Sequence, residues 1–306
     1  MPPRSMVCIL SLLLGTGCSL RKAALDRVGD ALAQGGGTFA SDPDPDLVRD
    51  ATPFALKTVE SLLDARPRHP GLLLAAASGF AQYARAFVQD EADYAEAGDP
   101  ARAAHLRRRA KALHLRARAY GLRGLDVALP GFSAGLATDP DRTLARAARA
   151  QVPLLYWTAA AWASAFSLDV SDAALASDQA RIEGLLDRAL ALDPTWNGGA
   201  LHAFRGAWEA AHLQAGGSAA NARRSFQEAL RLSGGLDAAT HVALAESLDL
   251  EAQDRRAFEG HLREALAVDP DRDPARRVAI LVAQKRARWL LTRMNDLFLD
   301  APETPP

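Results

Sequence analysis

The sequence predicts an all-α fold: helix–turn–helix repeats wound into a right-handed superhelical, α-solenoid-like single domain. Three observations predict it. Alanine and leucine dominate the 306 residues, while aromatic residues make up 6%. That composition favours helix over strand. No stretch alternates apolar and polar residues as a half-buried strand does. Finally, one helical ending recurs: Ala189-Leu-Ala-Leu-Asp-Pro194, Ala229-Leu-Arg-Leu-Ser-Gly234 and Ala265-Leu-Ala-Val-Asp-Pro270, in steps of 40 and 36 residues. A fainter copy is Leu62-Leu-Asp-Ala-Arg-Pro67. A period in the high thirties, with each helix closed by Pro or Gly, reads as repeats of the tetratricopeptide (TPR) type, whose unit is about 34 residues.

The clearest helix is Ile182 to Trp196. Ile182, Leu185, Leu186, Ala189 and Leu190 fall on one apolar stripe, and Asp193-Pro194 stops it because proline disfavours helical geometry in the residue before it. From the N-terminus, Leu20 to Ala33 is helical in pattern and ends at the hinge Gly35-Gly-Gly37. Ser41 to Asp46 is a stiff loop, and Asp46 caps a helix reaching Ala65. Long helices follow over 72–97 and 101–128, then a loop from Pro130 to Asp141 and a short helix over 141–150. Val152 to Leu168 carries no charge and is apolar nearly all round, so it should be deeply buried. Three helical pairs close the chain: 175–192 with 197–214, 218–232 with 236–250, and 254–268 with 274–299.

The first residues read as a targeting segment. Arg4 supplies a positive start, Met6 to Leu14 is mostly apolar and too short to span a bilayer, and Gly15-Thr-Gly-Cys18 follows. Cysteine after small residues resembles a bacterial lipoprotein signal, with Gly15 where leucine is usual. Residues 1–17 are then the signal, 18–45 a tether and first helix, and 46–300 the helical domain, with Cys18 as the lipid-bearing residue. Cys8 leaves with the signal, so no intramolecular disulfide is expected. Ser19 after the cysteine resembles lipoproteins sent to the outer membrane. A net charge of −1 gives no general pull toward nucleic acid.

Motifs for chemistry are weak. Gly131-Phe-Ser-Ala-Gly135 matches the nucleophile elbow G-x-S-x-G, which would make Ser133 a hydrolase nucleophile, but the elbow needs a strand before its serine. Two D-x-D-x-D runs, Asp42 to Asp46 and Asp269 to Asp273, lack the glycine and glutamate of a calcium loop. The histidines show no metal-ligand spacing, and no metal or other cofactor is expected. One helix is basic, with Arg102, Arg107, Arg108, Arg109, Lys111, Arg116, Arg118 and Arg123. It is either a solvated face or a docking face for an acidic partner. Aromatics cluster as Phe80, Tyr83 and Phe87, and as Tyr156, Trp157, Trp162 and Phe166. At helical spacing such residues form core or, with their polar tips, line a ligand site.

Several stretches together resemble the T-component lipoproteins associated with TRAP transporters. They are Thr38-Phe-Ala-Ser-Asp42, Leu47-Val-Arg-Asp50 with Pro53-Phe-Ala-Leu-Lys57, His69-Pro-Gly-Leu-Leu-Leu-Ala-Ala-Ala-Ser-Gly-Phe80, Tyr120-Gly-Leu-Arg-Gly124, Val152-Pro-Leu-Leu-Tyr-Trp-Thr-Ala-Ala-Ala-Trp162 and Gln284-Lys-Arg-Ala-Arg-Trp-Leu-Leu291. The resemblance covers nearly all of the chain after Cys18. It implies a TPR-like periplasmic lipoprotein that is not an enzyme, partners the solute-binding (P) subunit of a TRAP system, forms a homotrimer, and passes an apolar or organic-acid ligand through a pore. The rival readings are a general TPR adaptor for cell-envelope assembly and a serine hydrolase using Ser133.

Overall fold

A computed structural model describes residues 36–299, together with Arg27 and Gly29. Among these residues every regular element is helical. The signal peptide, Cys18, Gly35 and most of the Leu20 to Ala33 pattern lie outside the described residues. Gly36 and Gly37 open a short helix, Gly36–Ala40.

Helix α1 is Pro45–Ala65. Its N-cap is Asp44 rather than Asp46: with Pro45 at the first helical position, the Asp44 carboxylate accepts from the Asp46 and Leu47 amides. Helix α2 is Pro70–Tyr83, and it continues through a π-turn, Ala84–Gln89, into Asp90–Ala95. Helix α3 is Pro100–Ala128.

The expected loop after α3 holds a helix of its own, α4, Phe132–Thr138. Left-handed Gly131 turns the chain, and Phe132 and Leu136, one turn apart, are both buried. Helix α5 is Pro140–Ala145 and α6 is Val152–Ser167. As its sequence implies, α6 is central, packing against α2, α3 and α7. The approach to α3 needs a missing side chain. A Cβ on Gly121 would overlap Thr158 of α6.

The C-terminal helices are α7 Gln179–Leu192, α8 Ala200–Ala211, α9 Ala219–Leu232, α10 Ala238–Leu244 with a π-turn Ala245–Asp249, α11 Arg255–Ala267 and α12 Arg277–Thr292. Their pairing is offset by one helix from the expected pairs. The most extensive contacts join α6 to α7, α8 to α9, and α10 to α11. The cause lies between α7 and α8. Asn197, Gly198 and Gly199 all have positive φ, and this open turn swings α8 away from α7. Gly206 then lets the Phe226 ring of α9 approach the α8 backbone, where a Cβ would meet it at 2.9 Å.

Finally, α12 packs back against α10 and against the end of α2, so the array closes on itself. Arg286 of α12 donates to Asp90 at 2.9 Å, Asp93 at 3.0 Å and Glu246 at 2.6 Å. Beside it Lys285 reaches Glu91 at 3.1 Å, and Trp289 packs on Tyr94 with ring centroids 5.1 Å apart. Burial works against the Arg286 charge, but Glu246, Asp90 and Asp93 outweigh it and hold its pKa above the ordinary range. Asp90 itself is pushed up by burial, against the pull of Arg85 and Arg286.

Candidate functional site

Helix α6 lacks charge, so it is accepted between α3 and α7 without buried ions. Tyr156 and Trp157 are adjacent in sequence and therefore about 100° apart around the helix. They join different cores. Tyr156 packs with the core of α6, α7 and α8, and Trp157 with that of α1, α2 and α3. Their rings touch edge to face at 4.9 Å, which makes α6 the hinge line between the two cores.

Tyr156 is the centre of a ring cluster. Trp196 lies 4.6 Å away and Phe204 6.1 Å away between centroids. All four rings (Tyr156, Trp157, Trp196 and Phe204) are half-buried. The environment of Tyr156 is nonetheless deep: desolvation, with a smaller push from the Asp237 carboxylate, takes its hydroxyl up to about 12. That hydroxyl donates to no described protein group. Tyr156 is thus a half-buried ring whose hydroxyl engages no described protein group. Trp196 and Phe204 were not legible as partners. The one sequence signal was that Trp196 follows the Asp193-Pro194 stop.

The other expected ligand residues sit differently. Phe80 is buried under Tyr120, stacked at 5.9 Å, with the Arg116 guanidinium 4.8 Å from its ring. Tyr83 is buried, with Arg109 over its ring and donating to its hydroxyl at 3.3 Å. Phe87 is half-buried 6.0 Å from Tyr83. Trp162 is buried beneath Arg118 at 4.7 Å, and its indole N–H has no partner among the described residues.

The basic helix α3 uses most of its charges in contacts within the protein, while Arg102 and Arg108 stay on an exposed face. Lys111 binds Asp169 and Asp172 at 2.7 and 2.8 Å. Arg107 pairs with Asp93 and Glu96, and Arg116 with the buried Glu60. Arg123 donates to the Pro67 carbonyl. Its charges fasten α3 to its neighbours.

Ser133 stands in α4, and a helix precedes it where the elbow needs a strand. Its amide and hydroxyl both donate to Asp126, at 2.8 and 2.5 Å. The residue ties α4 to α3. The two Asp runs accept from their own backbone amides, as at Asp44 and Asp269. Among the described residues no group of histidine, cysteine, aspartate or glutamate is arranged to hold a metal ion. An open polar groove of about 380 Å³ lies between α8 and α9, lined by His202, Glu209, Asn221, Arg224, Ser225 and Glu228. It contains none of the expected aromatic residues. Among the described residues no helix is long and apolar enough to cross a membrane.

Helices closed into one array around an uncharged central helix, with a half-buried ring cluster at Tyr156, define an all-helical chain. The chain matches the TRAP transporter T-component family over residues 41–298, and it belongs to that family. It is 31% identical over 320 residues to an uncharacterized protein of Treponema pallidum (strain Nichols), an alignment that covers 97% of this chain and 99% of that protein. The family is one of transporter components.

Proposed function

We propose that this chain is a lipid-anchored periplasmic scaffold, not an enzyme, that binds the solute-binding (P) subunit of a TRAP transporter and hands over a small apolar or organic-acid ligand. In this reading the helices form one TPR-like superhelical domain, assembled as a homotrimer. Cys18 carries the anchor, in the outer membrane. The family match supports the transporter partner. The observation that carries the ligand role is Tyr156: a deep ring left half-open, with a hydroxyl that no described protein group engages. Tyr156, Trp157, Trp196 and Phe204 then make the wall a ligand touches. Phe80, Tyr83, Phe87 and Trp162 shape that wall from behind.

The test is purification of the tagged full chain from its native membrane in mild detergent. The solute-binding subunit should co-purify, and its absence would overturn the partner. Replacing the anchor residue, Cys18→Ser, should move the chain from the membrane to the soluble fraction, because stable attachment needs the acyl chains. A variant that stays with the membrane removes the lipoprotein reading.

A further inference from the structure

Helix α1 has one buried apolar face and, on its outer side, two exposed apolar side chains, Leu47 and Phe54. Val48, Leu56, Val59 and Leu63 are buried against the rest of the protein. Leu47, Ala51, Phe54 and Thr58 follow the spacing i, i+4, i+7, i+11 on the opposite side, and Leu47 and Phe54 are 58% and 79% exposed. A helix that serves only its own core has no use for the second stripe. The stripe is flanked by acid. Asp42, Asp44, Asp46 and Asp50 precede or border it; against them Arg49 pairs with Asp46 at 2.7 Å and Asp50 at 2.9 Å, and the exposed Lys57 pairs with Glu60 at 2.8 Å.

We infer that the outer face of α1, from Leu47 to Thr58, is a docking surface for a protein whose contact strip is apolar and bordered by lysine or arginine. Resting on the function proposed above, that partner is the solute-binding subunit. The charges select this occupant. Interfacial membrane helices carry lysine and arginine on their polar side, and an acidic border repels an anionic leaflet. Two copies of this chain related by a two-fold axis would set the same carboxylates against each other. In a cyclic trimer the stripe would meet a different surface, and sedimentation equilibrium tests that outcome. A basic-rimmed partner satisfies both the stripe and its border.

The experiment measures binding of the purified full chain to the solute-binding subunit of the same transporter by interferometry. Wild type is compared with Phe54→Asp, Leu47→Asp and the pair Asp46→Lys, Asp50→Lys. Each aspartate variant should weaken binding by about tenfold or more, as for a central apolar contact. The lysine pair should slow association at low salt. Exposed positions should leave the melting temperature within about 2 °C of wild type. If wild type binds and Phe54→Asp and Leu47→Asp bind equally well, the surface is misassigned while the proposed function stands. If wild type does not bind, both fall. Sedimentation equilibrium supplies the last arm: an oligomer that Phe54→Asp dissociates would give this face to a second copy and overturn the assignment.

Discussion

The Tyr156 hydroxyl separates two roles that one ring can play. A buried hydroxyl that bonds a protein group costs about 1–3 kcal/mol to remove, because its partner is stranded. Here there is no described partner to strand. Tyr156→Phe should therefore melt with wild type, while retention of an apolar or organic-acid ligand falls. A lowered melting point with unchanged ligand response would return Tyr156 to the core. His114 gives the opposite case. It is 1% exposed, neither ring nitrogen has a partner among the described residues, and burial, with Arg85 nearby, takes its pKa down to about 4. The unfolded chain takes up a proton near pH 6.5, which the folded chain refuses until about pH 4. Stability from this residue is thus complete above pH 6.5 and is lost as pH falls toward 4, by about 3 kcal/mol in all. His241, also held low by burial, adds to the same slope. Urea titrations at pH 7 and pH 4.5 should show His114→Leu losing much less stability between the two than wild type. Equal losses would move the slope elsewhere.

Helices answer to packing, and their tests are substitutions at contacts. Leu186 is fully buried on the stripe of α7, so Leu186→Ala should cost about 2–5 kcal/mol in chemical denaturation. At the α3–α6 crossing, Gly121→Ala drives a Cβ into Thr158 and should cost about 1–3 kcal/mol, with partial recovery when Thr158→Ala is added. No recovery would mean the two helices do not meet there. These same helices show what the sequence could reveal. Apolar stripes and Asp-Pro stops located α3, α6, α7, α9 and α11 closely, because both are local. Helix α4 was invisible, since a few residues such as Phe132 and Leu136 form a stripe only once a core accepts them. Its anchor, Ser133 on Asp126, was readable as a catalytic motif instead. The pairing of α8 with α9 was misread because it depends on three positive-φ residues that only the folded turn reveals. Of the site, Tyr156 and Trp157 stood out in the uncharged helix, whereas Trp196 and Phe204 arrive from other elements.

At the scale of the molecule, closure rests on α12. Arg286 is 9% exposed and serves three carboxylates from two elements. Removing one partner of a buried ion network leaves the rest uncompensated, at about 3–5 kcal/mol. Arg286→Ala should lower the melting point sharply and raise the radius of gyration in solution scattering. Arg286→Lys should recover only part, because an ammonium cannot fork across Glu246 as a guanidinium does. An unchanged radius would show that apolar contacts such as Trp289 on Tyr94 close the array alone. The same clasp fixes an order of events during synthesis. Asp90 and Arg286 are 196 residues apart, so a ribosome adding roughly 5–20 residues per second separates the two by at least about ten seconds. Through that interval the end of α2 carries Asp90 and Asp93 without Arg286, with Arg85 and Arg107 to pair them. Contacts so distant in sequence also slow folding, since loop closure must precede their reward. The newborn chain is therefore longest-lived in an open form, and a chaperone that shields the unfinished α2 surface should raise the yield of the wild-type protein more than that of a variant whose Asp90 has been made neutral, Asp90→Asn.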